Sequence, residues 1–226
     1  MNILKEVLIR DSERLEDLQY KNLSIIQDKE GYCFTSDAVE LSNFAKVKKK
    51  GILVDLCSGS GVVGILTLNK NDAKICHMVE LQPRLIEMAK RSVEYNNQQN
   101  LFVFHNKKLQ GVSKEIGCGF ADTVTCNPPY MTTSNKILTE NNEKNIAKFE
   151  IEVTLEEVIN EASKLLKFGG KLYIVHKEER LSDIVCFSRK YGLEVKVIKI
   201  KKGRASNIIL VEALKGGKSG CKIICD

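Results

Sequence analysis

The residues best suited to chemistry are Asn127, Pro128 and Tyr130, within the run Cys126-Asn127-Pro128-Pro129-Tyr130. The chain has three prolines, and two of them stand adjacent here. Consecutive prolines fix the backbone and remove two N–H groups, so the carbonyls point outward as acceptors without neighbouring donors. The side chain of Asn127 and the carbonyl of Pro128 can then accept both hydrogens of a planar amino group, while Tyr130 offers a ring on which a flat group stacks. Such a site holds an aromatic amine or an amide nitrogen. The structural alternative is a rigid turn with a packed tyrosine.

A second constellation lies upstream. Gly59, Gly61 and Gly64 form a G-x-G-x-x-G within Ser58-Gly-Ser-Gly-Val-Val-Gly64, directly after the apolar run Gly51 to Cys57, and Glu80 follows Gly59 by 21 residues. Glycines let the backbone approach a ligand, and an acid ending the next strand can accept hydrogen bonds from ribose hydroxyls. Dinucleotide enzymes and adenosylmethionine enzymes both satisfy this pattern. Asp55, inside the first strand, is an acid at a buried position that needs a partner. A cationic ligand group or the backbone amides of the turn can supply one.

These residues need a scaffold that places strand ends side by side. Gly51 to Cys57, Ile75 to Val79, Leu101 to Phe104, Asp122 to Cys126 and Lys171 to Val175 read as strands, separated by helical segments, and this alternation predicts a parallel sheet with crossover helices. One helix carries Leu85, Ile86, Ala89 and Val93 on one face; another opens with a Thr154/Glu157 capping box and stops at Gly169-Gly170. A helix near Leu181 to Lys190 leads to two strands, Leu193 to Lys201 and Asn207 to Val211, which are expected to pair antiparallel, and the change of phase near Val197-Ile198 points to a bulge or to burial on both faces. Residues 1–45 are expected to be an N-terminal extension and 46–226 the main domain.

At 226 residues, 43% hydrophobic and 28% charged, the composition excludes disordered, collagenous and membrane-spanning classes. No run approaches the ~18 apolar residues of a membrane span, and charges occupy the start where a leader needs an apolar run. A cytoplasmic chain without a membrane partner is therefore expected. Eight cysteines without a C-x-x-C predict free thiols and no metal site. The formal charge is +6, and from Ser188 onward ten Lys and Arg face three acids. That asymmetry points to a polyanionic partner.

Taken in order, Asp55 to Gly64, Glu80 and Asn127 to Tyr130 resemble the class I S-adenosyl-L-methionine-dependent methyltransferases of the Asn-Pro-Pro-Tyr type. Within them the chain is most similar to the bacterial tRNA1(Val) adenine-37 N6-methyltransferase family. Supporting stretches are Tyr32 to Val39, Ala147 to Glu150, Val175 to Leu181 and Lys215 to Lys222. The resemblance implies a Rossmann-like α/β fold with a seven-stranded, mostly parallel sheet and an antiparallel C-terminal strand. It also implies an N-terminal extension packed over the cofactor site. The cofactor would be S-adenosyl-L-methionine, bound by Asp55, Gly59, Gly61, Glu80, Asn106 and Asn127. Asn127, Pro128 and Tyr130 would act on the N6 amine of an adenine in RNA, in a tRNA anticodon loop, with Lys199, Lys201, Lys202 and Arg204 gripping the RNA.

The chain departs from the pattern in two places. Asn106 stands where an acid often meets the cofactor's adenine, and Lys148-Phe149 stands where an Arg-His pair is expected. Three readings compete: methylation of a protein glutamine, methylation of guanine N2 in ribosomal RNA, and an RNA-binding relative without catalysis.

Overall fold

A computed structural model describes residues 8–30, 33–130, 153–203 and 206–225. Its centre is one eight-stranded sheet. In chain order the strands are β3 (Ile52–Leu56), β4 (Ile75–Glu80), β5 (Phe102–Asn106), β6 (Ala121–Cys126), β7 (Leu166–Lys177), β8 (Leu193–Lys201), β9 (Ile208–Lys215) and β10 (Lys222–Cys225). They lie side by side as β10-β8-β9-β7-β6-β3-β4-β5. The pairs from β7 through β5 are parallel, and β9 runs antiparallel to both β7 and β8. This is the expected α/β class, with one strand beyond the seven: β10 adds a parallel neighbour to β8. It was illegible because Lys222-Ile-Ile-Cys225 is four residues long and follows a glycine-rich turn.

Period-two alternation sends successive side chains to opposite faces of the sheet. Val54, Leu56, Val124 and Ile174 pack on one face with α5 (Leu155–Leu165) and α6 (Leu181–Lys190). Leu53, Tyr173 and Val175 pack on the other with α1 (Ser36–Phe44), α2 (Val62–Asn71) and α3 (Pro83–Tyr95). A short α4 (Val112–Ile116) joins the first face. No helix among the described residues is long and apolar enough to cross a membrane. The eight cysteines are free thiols.

The capping box forms: the Glu157 amide donates to Thr154 Oγ1 at 3.3 Å, and the Thr154 amide donates to Glu157 Oε2 at 2.8 Å. The helix ends at Leu165, however, four residues before Gly169-Gly170, and the glycine pair lies inside β7. Ala121 pairs with Leu166 and Thr123 with Lys171, so the glycines occupy an irregular, bulged stretch of that strand. The bulge in β8 falls at Lys196, since Val195 pairs with Ala213 and Val197 with Glu212.

A feature absent from the sequence reading is an antiparallel hairpin of β1 (Glu13–Asp17) and β2 (Ser24–Asp28). Its strands are five residues each, too short to show a period. The hairpin is tied to α3 by an amide of Ile26 donating to Ser92 Oγ at 2.9 Å and by a two-bond pair from Arg91 to Glu13 at 2.6 and 2.7 Å. Burial would raise the Glu13 pKa, but the Arg91 guanidinium holds the carboxyl below its ordinary value.

Candidate functional site

Three parallel strands, β3, β4 and β6, end on one side of the sheet, and a cleft opens there, where open α/β sheets place their ligands. Asp55, Gly59, Glu80 and Asn127 all line it, as do Phe34 and Ala38 from the N-terminal region.

Asp55 is 1% exposed and sits beside Thr125 in the β3–β6 register. Thr125 Oγ1 donates to its Oδ1 at 2.7 Å, and the Gly64 amide donates to its Oδ2 at 3.0 Å. Two hydrogen bonds do not offset full burial, which pushes the pKa up to about 7. Glu80, 7% exposed, accepts from the amides of Gly59 and Gln82, each at 2.8 Å. Burial raises its pKa too. A carboxylate has about four lone-pair sites, so these bonds leave acceptor capacity for a hydroxyl donor.

The glycines divide the work. At Gly59, φ is +54° and an added Cβ would meet nothing within 4 Å, so the backbone faces open space in the cleft. Gly61 stands behind the wall, where φ is +95° and a Cβ would press on Met78 and Ala89. The sequence reads it as a cofactor residue; in the fold it also lets the turn pack against α3. Asn106 also stands beside the wall rather than in it. Its Nδ2 donates to the carbonyls of Glu80 and Leu81, both at 2.9 Å, and Lys107 to Gln110 line the cleft instead.

Asn127 and Pro129 line the cleft, while Pro128 is buried next to them. The Tyr130 hydroxyl lies 2.8 Å from Asn127 Oδ1 and 3.1 Å from Oδ2 of Asp37, a residue of α1. Behind Tyr130, His176 is fully buried with its ring 5.1 Å away. Burial, reinforced by Arg180, pushes its pKa down to about 3, so it stays neutral. His77 and His105 are elsewhere, stacked on each other with Nδ1 and Nε2 3.0 Å apart.

Residues 36–186 match the methyltransferase small domain family. The chain belongs to that family. It is 24% identical to a tRNA1(Val) (adenine(37)-N6)-methyltransferase of Histophilus somni over 71% of this chain and 67% of that protein. It is 26% identical to a release factor glutamine methyltransferase of Bifidobacterium longum over 62% of this chain and 52% of that one. Its fold matches a crystal structure of TYW2 from M. jannaschii in complex with AdoMet at a TM-score of 0.60. Identity there is 12%, covering 91% of this chain and 86% of the other.

The cleft of this methyltransferase fits S-adenosyl-L-methionine by its own chemistry. Open space faces Gly59, and two buried polar atoms in the wall, Ser58 Oγ and Gln82 Oε1, have no protein partner. Among the described residues no cluster of three or more His, Cys, Asp or Glu is arranged to hold a metal ion.

Of the basic residues, Lys199, Lys201 and Lys202 lie at the end of β8 and just after it; Arg204 falls outside the described residues, as do Tyr32 and Ala147 to Glu150. Lys201 is committed within the fold to Glu40 of α1, at 2.5 Å. Sequence reasoning missed Asp37 and Gln82. Asp37 is 93 residues from Tyr130 and no spacing could connect them. Gln82 did carry a signal, a glutamine at a helix start where a shorter side chain caps better.

Proposed function

We propose that the chain methylates the exocyclic N6 amine of an adenine in RNA, in a tRNA anticodon loop, with S-adenosyl-L-methionine as donor. The observation that carries this reading is Asn127, which lines the cleft shared with Glu80 and leads directly into the double proline and Tyr130. The likeness to the Histophilus somni tRNA enzyme favours adenine.

The donor supplies a methyl group activated by a positively charged sulfur. Asn127 Oδ1 and the Pro128 carbonyl accept the two amino hydrogens, which localises the nitrogen lone pair and stabilises the cationic nitrogen as it forms. Tyr130 stacks on the base, and Glu80 holds the nucleoside end of the donor. The surplus proton leaves to water, so the neutral, buried His176 is not needed as a base. Lys199, Lys201, Lys202 and Arg204 contact the RNA backbone, and residues 1–45 cover the cofactor site.

Glutamine methylation is the second reading, because an amide presents the same planar NH2 and the Bifidobacterium longum relative is a release factor enzyme. Incubation with total RNA and labelled adenosylmethionine, followed by nucleoside analysis, separates them. N6-methyladenosine is the expected product. N2-methylguanosine, or an unlabelled RNA pool with label in protein, would overturn the adenine assignment.

A further inference from the structure

Gln82 sits at the N-cap of α3, where a side-chain oxygen ordinarily folds back to accept a helix amide. Here it makes no such bond. The residue is 7% exposed, it lines the cleft, and its Oε1 is buried without a hydrogen-bond partner. An amide oxygen left in that state is costly unless a ligand completes it. The neighbour that fixes its place is Glu80, whose Oε1 accepts the Gln82 amide at 2.8 Å while Oε2 accepts from Gly59. A ribose diol offers two O–H donors to an acceptor surface of this kind.

We propose that Gln82 is a cofactor-binding residue whose side-chain oxygen accepts from one ribose hydroxyl of adenosylmethionine, beside Glu80, which accepts from the other. This rests on the cleft being the adenosylmethionine site. Glutamine suits the task because its extra methylene carries the amide beyond the reach of its own helix end, whereas Asn, Asp or Ser at the same position would be drawn into capping. The unsatisfied oxygen then serves the ligand rather than the fold.

Calorimetric titration with S-adenosylhomocysteine and its 2′-deoxy and 3′-deoxy forms tests the assignment without any RNA substrate. Gln82→Ala should weaken S-adenosylhomocysteine binding roughly 10-fold, the effect of one lost hydrogen bond. It should leave affinity unchanged for the one deoxy form that lacks the partner hydroxyl. Gln82→Asn should lose the same affinity while melting no lower than wild type, because asparagine can cap α3. An unaltered affinity in both variants, or an equal loss for all three ligands, would overturn the proposal. Failure of the wild-type chain to bind S-adenosylhomocysteine would instead remove the cleft assignment beneath it.

Discussion

The phenolic oxygen of Tyr130 lies 2.8 Å from Oδ1 of Asn127, so the residue proposed to stack on the base also holds the amide proposed to receive that base's amino hydrogens. A carbonyl oxygen has two lone pairs, and one remains for the substrate. The single phenolic proton is shared between Asn127 and Asp37, which ties Tyr130 to α1.

Asn127→Ala removes the acceptor at the reacting nitrogen. Turnover should fall by roughly 100-fold or more, as for a lost transition-state contact, while adenosylmethionine affinity changes far less. Single-turnover kinetics beside calorimetry reads both quantities, and near-normal turnover would refute the acceptor role.

Tyr130 separates ring from hydroxyl. Tyr130→Phe keeps the stacking surface and should lower turnover by about 3- to 10-fold, the worth of one neutral hydrogen bond. Tyr130→Ala should in addition weaken RNA binding by ~1–3 kcal/mol, the range for base stacking on an aromatic ring. Equal RNA affinities for the two variants would exclude stacking.

Asp55 predicts a pH dependence of stability. Its folded pKa, about 7, exceeds the ordinary 3.8, so between those values the folded chain keeps a proton that the unfolded chain has lost. Stability therefore falls as pH rises from about 4 to about 7 and levels off above, by an amount on the order of 4 kcal/mol. The neutral amide introduced by Asp55→Asn can accept from Gly64 and donate to Thr125, whose hydroxyl reverses its role. Urea unfolding of that variant should then show a flatter profile than wild type over the same range; parallel profiles would assign the pH dependence to other groups.

The chemistry was legible in the sequence wherever neighbours in the chain are neighbours in space. The glycine turn, the capping box, the double proline and the α3 face are of that kind. Contacts made by the sheet were not: Asp55 meets Thr125 only because β3 and β6 pair in that register, and Asp37 meets Tyr130 only because α1 folds back over the sheet. Asn106 reads as a cofactor residue in the sequence, but the bonds its amide makes to the carbonyls of Glu80 and Leu81 were not legible, because side-chain direction at a strand end depends on the turn that follows. The charge asymmetry was legible; the pairing of Lys201 with Glu40 was not.

Lys199, Lys201, Lys202 and Arg204 changed together to Gln should weaken RNA binding and reduce its salt slope by up to ~0.7 to 0.9 log units per lost phosphate contact. Lys201→Gln alone should reduce it less, since that ammonium already has Glu40. Filter binding across salt concentrations measures this, and an unaltered slope in the fourfold variant would move the RNA contact elsewhere.

The strand order has a consequence for how the chain is made. β3, β4 and β5 are consecutive in sequence and adjacent in the sheet, so the half of the cleft containing Gly59 and Glu80 can assemble from about the first hundred residues as they emerge. The far side comes later in the chain: β7 pairs with β9, β9 with β8, and β8 with β10. The pairing of longest range in the sheet joins β3 to β6, with Leu53 opposite Thr123, so the step that costs the most loop closure is the one that brings Asn127 beside the glycine turn.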